Sequence, residues 1–249
     1  MNMDSYIFCT AGGSKATAYA AELLKDTYHF LPCPDKRATH VLLGVPSLNM
    51  DGSLIGGGAL EELLEALSRD VTIVGGNLRH PKLTGYKKID LLQDPMYLAK
   101  NANITSHCAL RYALEELPVT LEECPVLILG WGRIAKCLAK LLANLGAQVS
   151  IAARKETDRA MASALGFQSL KITAVEQTDY KLIYNTIPQM VLPRSSCDAV
   201  KVDLASTPGM EGDDILYAKG LPGKFAPVSS GELIAQTVIR LVGQKEDCL

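Results

Sequence analysis

The 249-residue chain has no apolar run of membrane-spanning length, so no transmembrane helix is expected. Its first residues, MNMDSYIFCT, lack a basic stretch followed by a long apolar core, and no secretory signal is read there. Excess charge of either sign is also missing. Lys and Arg number 25 against 27 Asp and Glu, for a formal charge of −2. The cations are scattered and form no basic stripe, which removes the electrostatic argument for nucleic acid or an anionic membrane. There is no C-x-x-C. The seven cysteines (Cys9, Cys33, Cys108, Cys124, Cys137, Cys197, Cys248) are odd in number and widely spread. No His–Cys clustering suits zinc, and His29, His40 and His80 show no ligand spacing, so no metal site is expected. The cysteine pattern is that of a reduced, cytoplasmic chain. No low-complexity tract is found, and the two halves are at most a loose structural repeat.

Hydrophobic content of 48% is ample for one large or two modest domains. The most informative stretch is Val126 to Arg154, VLILGWGRIAKCLAKLLANLGAQVSIAAR. Val126 to Leu129 is an unbroken apolar run, the pattern of a parallel strand buried on both faces. Gly130, Gly132 and Ala135 follow in the spacing G-x-G-x-x-A, where the strand must turn into a helix. Ile134, Cys137, Leu138, Leu141, Leu142 and Leu145 repeat at helical spacing, Gly146 stops the helix, and Val149 to Ala152 begins the next strand. The first glycine permits the tight turn, and the second lets a pyrophosphate approach the backbone. The small third residue lets helix and strand pack closely, with the phosphates at the positive helix N-terminus. The pattern predicts a dinucleotide site; the alternative is a turn of the same shape that holds no ligand.

Which dinucleotide is decided about twenty residues past the glycines, where an acid selects the ribose 2′-hydroxyl of NAD. Arg154 and Lys155 stand there instead. A carboxylate would repel a 2′-phosphate, whereas this pair attracts it, and Arg133 in the glycine turn can add a contact. NADP(H) is therefore expected over NAD(H). The alternative for Arg154 and Lys155 is a solvated loop start.

Elsewhere the chain alternates apolar runs with glycine turns and helical patterns, which implies a second parallel α/β layer. Tyr6 to Cys9 leads through Gly12, Gly13 and Ser14 into a helix, and Val71 to Val74 ends in Gly75 and Gly76. Loops at strand carboxyl ends bind ligands in such sheets, so Gly12, Gly13, Ser47, Gly75 and Gly76 are expected to line a crevice wall or to serve only as turn residues. Asn101 to Leu117 has a helical apolar face, with Thr105 or Ser106 expected to cap its start. Gly220 to Gly223 reads as a rigid turn, and Ser229 or Ser230 as the cap of a final helix. The expected architecture is α/β. Two Rossmann-like domains with parallel sheets are joined by a connecting helix, and a C-terminal helix returns to the first domain. The boundaries are 1–100 for a substrate-side domain, 101–228 for the nucleotide-binding domain with the connecting helix, and 229–249 for the returning helix, whose tail from Lys245 should fray.

Over roughly Asn101 to Leu241 the chain resembles the dipicolinate synthase A subunit. The resemblance is carried by LILGWGRIAKCLAKLLANLGAQVSIAAR, IYNTIPQMVL, VDLASTPG and GLPGKFAPVSSGELIA, in the family's order and spacing. Ala153-Arg154, Asn185-Thr186-Ile187-Pro188, Asp203-Leu204-Ala205-Ser206 and Ala226-Pro227 match within these segments. The two-domain 2-hydroxyacid dehydrogenases and adenosylhomocysteine hydrolase look like wider relatives. The resemblance implies NADP-dependent oxidation of a dihydro- or hydroxytetrahydro-dipicolinate to dipicolinate by hydride transfer, in spore formation. It also implies a partner, a flavoprotein-like B subunit. A homo-oligomer is expected as well. The family's N-S-I-P-T-x-E-G segment departs here to Asn101-Ala102-Asn103-Ile104-Thr105-Ser106-His107-Cys108, with His107 in place of the acid. After Ala226-Pro227 the family tends to Lys-Thr, and Val228-Ser229 stand here.

A small dicarboxylate substrate needs cationic or amide donors. Arg111 lies one helical turn after His107, so the two share a helix face. Arg111 is the candidate carboxylate clamp. His107 is the candidate proton acceptor. Asn101 completes the catalytic set; Arg111 also reads as a solvent-facing helix arginine and His107 as a structural or surface residue. Cofactor contacts are expected from Gly130, Gly132, Arg133, Ile134, Arg154, Lys155, Asn185, Thr186, Ile187, Pro188, Asp203 and Ser206, although Asp203 can equally fix its own loop. Substrate contacts are expected from Thr105, Gly223, Lys224 and Ser229. Two alternatives stay open: an NAD(P)-dependent dehydrogenase or reductase of another small carboxylate, and a non-catalytic nucleotide-binding subunit of a flavoprotein complex.

Overall fold

A computed structural model of the chain describes residues 6–175, 179–192 and 197–243. The chain divides into two compact units, one formed by residues up to Asn101 and from Pro222 onward, the other by Ala102–Leu221. Residues 222–228 thus group with the first unit, and the expected frayed tail lies outside the described residues. Among the described residues no helix is long and apolar enough to cross a membrane.

The first unit runs β1 (Ile7–Thr10), α1 (Lys15–Leu24), β2 (His29–Phe30), β3 (His40–Leu42), α2 (Leu60–Ala66), β4 (Thr72–Gly75) and β5 (Lys87–Asp90). Its five strands are all parallel, in the order β2-β1-β3-β4-β5. Because side chains alternate across a pleated strand, β1 sends Cys9 into one core with Val41, Ile73, Leu60 and Leu63. Phe8 goes the other way, stacking on His40 at 4.7 Å and Tyr28 at 4.8 Å. Burial pushes the Cys9 thiol up to about 11.

The helix α3 (Pro95–Leu114) carries the chain across the division. It is one helix of 20 residues, so Thr105 and Ser106 do not cap it. The cap is Asp94, whose Oδ1 accepts the Tyr97 N–H at 2.7 Å, and Pro95 opens the helix where its missing N–H costs nothing. No Gly or Pro follows before Leu114, so nothing stops it at Asn101.

The second unit contains β6 (Pro125–Leu129), α4 (Arg133–Asn144), β7 (Gln148–Ala152), α5 (Glu156–Ala164), β8 (Gln168–Leu170), β9 (Leu182–Asn185), β10 (Val200–Asp203) and β11 (Ile215–Tyr217). Its sheet, parallel throughout, has the order β11-β10-β9-β6-β7-β8. The order reverses between β6 and β9, which defines the switch point of a doubly wound sheet. β6 is buried from Val126 to Leu129, as its unbroken apolar run requires. Both flanking helices end in a left-handed glycine. At α4, Gly146 (φ 86°) lets the Ala147 N–H reach Leu142 O at 3.1 Å; at α5, Gly166 (φ 87°) lets Phe167 N–H reach Ala162 O at 3.1 Å. Leu145, read as part of the apolar face, lies at this turn and is exposed.

Two helices close the described chain, the short α6 (Leu221–Phe225) and the longer α7 (Pro227–Gly243). Residues 221–223 therefore form a helical turn, and only Gly220 (φ 66°) needs a left-handed backbone. Pro227 opens α7, which leaves Ser229 and Ser230 inside the helix instead of capping it; the Ser230 hydroxyl is buried without a hydrogen-bond partner among the described residues. α7 packs on α1 at close range. A Cβ at Gly231 would lie 2.7 Å from Ala16 O and 2.9 Å from the Tyr19 ring. Arg240 Nη2 also pairs with Asp94 Oδ1 at 2.6 Å, tying α7 to the start of α3.

Candidate dinucleotide site

The carboxyl ends of β6 and β9 meet at the switch point of the second unit. Gly130 leaves β6 with φ 104°, a backbone favoured by glycine, and its N–H donates to Ala152 O at 2.9 Å. Here the small residue serves a close approach as well as a turn. A Cβ at Gly130 would collide with Thr186 Oγ1 and lie 3.0 Å from Ile187 Cγ1. Thr186 occupies that space because its N–H and Oγ1 both donate to Leu129 O, at 3.0 and 2.8 Å. The loop after β9 is thereby locked against the glycine turn.

Gly132 differs. Its φ of −80° and ψ of −171° suit any residue, and a Cβ there would meet nothing within 4 Å. It is the N-cap of α4, which has no side-chain cap and no acid in its first turn. The first intrahelical bond is Lys136 N–H to Gly132 O, so the N–H groups of Arg133, Ile134 and Ala135 point off the helix end. Ala135 is fully buried, which allows the close helix–strand packing the fingerprint demands. Open space, uncapped amides and the positive helix end together fit a pyrophosphate. Trp131, between the two glycines, turns away into the core: it is buried, meets the Phe167 ring edge-on at 5.8 Å, and its indole N–H has no partner among the described residues.

The cations fall as the sequence places them. Arg154 and Lys155 follow β7 and are exposed, Lys155 serving as the N-cap of α5, and Arg133 is exposed at the start of α4. Ile134 is half-buried. Pro188 and Ser206 are exposed on loops after β9 and β10, while Thr186 and Ile187 are half-buried. The residues expected to contact a cofactor therefore lie along one sheet edge.

Two members of that set bond within the protein. Asn185 is fully buried; its Nδ2 donates to Ile187 O at 3.0 Å and Asp203 Oδ1 at 2.9 Å, and its Oδ1 accepts from Ile187 N at 2.9 Å. Asp203 is 2% exposed. Its Oδ1 also accepts from Ala205 N at 3.0 Å, and its Oδ2 accepts from Gly209 N at 2.7 Å and Met210 N at 3.1 Å. These bonds tie both side chains to the loops after β9 and β10. Sequence reasoning also missed Arg159, whose guanidinium folds back onto the carbonyls beside Arg154.

The residues expected to meet substrate or take part in catalysis are divided between the units. On α3, Asn101 is half-buried, Thr105 is buried, and His107 and Arg111 are exposed. His107 and Arg111 do share a face, along a shallow groove of about 400 Å³ with Leu110, Leu114 and Glu115. Arg111 Nε lies 3.9 Å from Glu115 Oε1, an exposed i,i+4 pair worth about 0.3–0.5 kcal/mol. Gly223, Lys224 and Ser229 belong to the first unit. A Cβ at Gly223 would come within 3.8 Å of Ser14 Oγ, Lys224 Nζ sits 4.9 Å from the Phe225 ring, and Ser229 is exposed. The glycine turn of the first unit is filled by the chain itself. Gly13 N–H donates to Ile55 O, and Gly56 (φ 91°) has its Cα against the Gly13 backbone. Ser47 Oγ is spent on Gly44 O at 2.8 Å and Gly76 N at 3.0 Å. These residues build turns.

No family model matches the chain. A curated relative does, with 28% identity over 159 residues, 58% of this chain and 54% of the relative. It is the dipicolinate synthase A subunit of Bacillus subtilis (strain 168). The chain resembles the dipicolinate synthase A subunit. The match spans about half the length of that relative. In three dimensions, the crystal structure of the dipicolinate synthase A subunit from Bacillus halodurans aligns with a TM-score of 0.84 and 21% identity, covering 97% of this chain and 99% of that one. The transhydrogenase from Sinorhizobium meliloti aligns with a TM-score of 0.69 and 14% identity, covering 96% and 94%. These likenesses establish the fold: two parallel α/β units arranged along the sequence as in the dipicolinate synthase A subunit.

Proposed function

We propose that the chain is an NADP-dependent oxidoreductase that converts a dihydro- or hydroxytetrahydro-dipicolinate to dipicolinate, resembling the dipicolinate synthase A subunit. The observation that carries this reading is the open, uncapped turn at Gly132 combined with exposed Arg154 and Lys155 at the end of the next strand. The turn and the first amides of α4 would hold the pyrophosphate, and Arg154, Lys155 and Arg133 the 2′-phosphate. The loops 186–188 and 204–209 would border the nicotinamide half, set in place by Asn185 and Asp203. When bound, NADP supplies the hydride acceptor. The chain's own task is to orient the dicarboxylate, for which Arg111 supplies a cation, and to accept a proton, for which His107 is the candidate. The reading extends to a cytoplasmic setting, from the cysteine pattern, to spore formation and a flavoprotein-like B subunit, from the resemblance, and to a homo-oligomeric assembly.

Trp131 is the chain's single tryptophan, so its fluorescence reports on the neighbouring glycine turn. Titrated NADPH should quench it saturably. Arg154→Glu should weaken NADPH binding on the order of 30-fold and NADH binding much less, because it replaces a charge-assisted bond with repulsion. Equal affinity for the two cofactors in the unaltered protein would overturn the NADP assignment.

A second reading is oxidation or reduction of another small carboxylate on the same scaffold. It is favoured by His107, which stands exposed on the α3 groove where the family carries an acid. Turnover of a 2-oxo or cyclic imine acid, with none of dihydrodipicolinate, would select it.

A further inference from the structure

The loop between β7 and α5 carries the exposed cations Arg154 and Lys155, yet α5 has no side-chain cap where the loop enters it. The loop is held from behind. Arg159, one turn into α5 and half-buried, folds its guanidinium back so that Nη1 donates to Ala153 O at 3.0 Å and Arg154 O at 2.7 Å. Its backbone N–H also donates to Lys155 O at 3.2 Å. One residue thus fixes three successive carbonyls, those of residues 153, 154 and 155. From the other side, Ala153 N–H is anchored to Leu170 O at 3.1 Å.

The carbonyls of Ala153 and Arg154 present negative ends beside the place where an anion would sit, and the guanidinium turns that charge onto itself. The backbone under Arg154 also loses its freedom, so the Arg154 side chain projects from a fixed point. Arg–anion recognition is directional, and its strength depends on such preorganisation. Glu156 and Asp158 lie in the first turn of α5 and would repel a phosphate, which makes a fixed Arg154 more important.

We propose that Arg159 is a positioning residue for cofactor choice: by clamping the carbonyls that flank Arg154 it sets the preference for a 2′-phosphorylated adenine nucleotide over an unphosphorylated one. It acts through Arg154 and does not itself touch the phosphate. The inference rests on the NADP reading above and deepens it.

The test is a binding cycle on the full chain with NADPH, NADH and adenosine 2′,5′-bisphosphate, read by Trp131 fluorescence and calorimetry. Arg159→Met keeps an apolar stem of similar bulk up to the Nε position and removes the donors. It should weaken NADPH and the bisphosphate by about tenfold, the scale of one charge-assisted bond, and NADH by less than about twofold. Arg159→Lys should retain part of the preference. The double variant Arg154→Met/Arg159→Met should bind no more weakly than Arg154→Met alone, because the clamp has nothing left to position. Additive losses would mean that Arg159 meets the phosphate directly, and equal losses for NADPH and NADH would mean a purely structural role; either overturns the proposal. A preference for NADPH over NADH that is as strong without Arg159 as with it overturns the proposal while leaving the NADP reading intact. An unaltered protein with no preference for NADPH removes both.

Discussion

Gly130 and Gly132 look equivalent in the sequence and are physically opposite. Gly130 has φ 104° and would drive a Cβ into Thr186 Oγ1, so it is required by the protein's own packing. Gly132 has an ordinary backbone and faces open space, so the protein's own packing does not require its missing side chain. Gly130→Ala should therefore cost about 1–3 kcal/mol of stability in urea denaturation. Gly132→Ala should change stability by less than about 0.5 kcal/mol and weaken NADPH binding by at least about tenfold. If both variants lose stability alike, the second glycine is structural and the dinucleotide reading loses its main support. The G-x-G-x-x-A spacing made both positions legible; which one serves packing was not, because Thr186 arrives from far along the chain.

At the level of elements, the two sheets use one device. A carboxylate at the end of a strand collects the amides of a loop at the carboxyl edge. Asp203 of β10 accepts from Ala205, Gly209 and Met210 N–H and from Asn185 Nδ2. Asp90 of β5 accepts from Asn77 N at 3.0 Å, Leu78 N at 2.9 Å and Leu92 N at 3.0 Å, and so holds Asn77 at φ 58°. Asp203→Asn would turn an amide nitrogen toward buried donors. It should cost about 2–3 kcal/mol, and Asp90→Asn less, because Asp90 is only half-buried. Chemical denaturation of the two variants checks the order; equal, small losses would show that these networks contribute little. Where elements begin was harder to read. Thr105, Ser106, Ser229 and Ser230 suggested caps because Ser and Thr favour such positions. Asp94-Pro95 and Pro227 open the helices earlier, and a hydroxyl inside an established helix bonds locally, as Ser106 Oγ does to Asn103 O at 2.7 Å.

For the whole molecule, each unit has its own sheet and its own core, and α7 completes the first unit from the far end of the sequence. Units of this kind open as separate cooperative blocks. Gly231→Leu would push α7 off Ala16 and Tyr19. Hydrogen exchange should then accelerate in β1 and α1 while β6 and β9 keep their protection. Uniform acceleration in both sheets would show that the chain unfolds as one.

The sequence by itself determined what depends on neighbours along the chain: the buried run of β6, the glycine turn, the amphipathic α4, and cations instead of an acid after β7. Periodicity, left-handed glycines and charge are all properties of a short window. Only the tertiary structure decided what depends on residues far apart in sequence, or on which way a long side chain folds. It put Asp203 and Asn185 to work on their own loops, filled the Gly13 turn with the Ile55 carbonyl, and set Arg159 behind Arg154. A hydrogen-bonding group takes the partner that folding brings within about 3 Å, and burial makes that pairing obligatory. No local pattern fixes which partner that is.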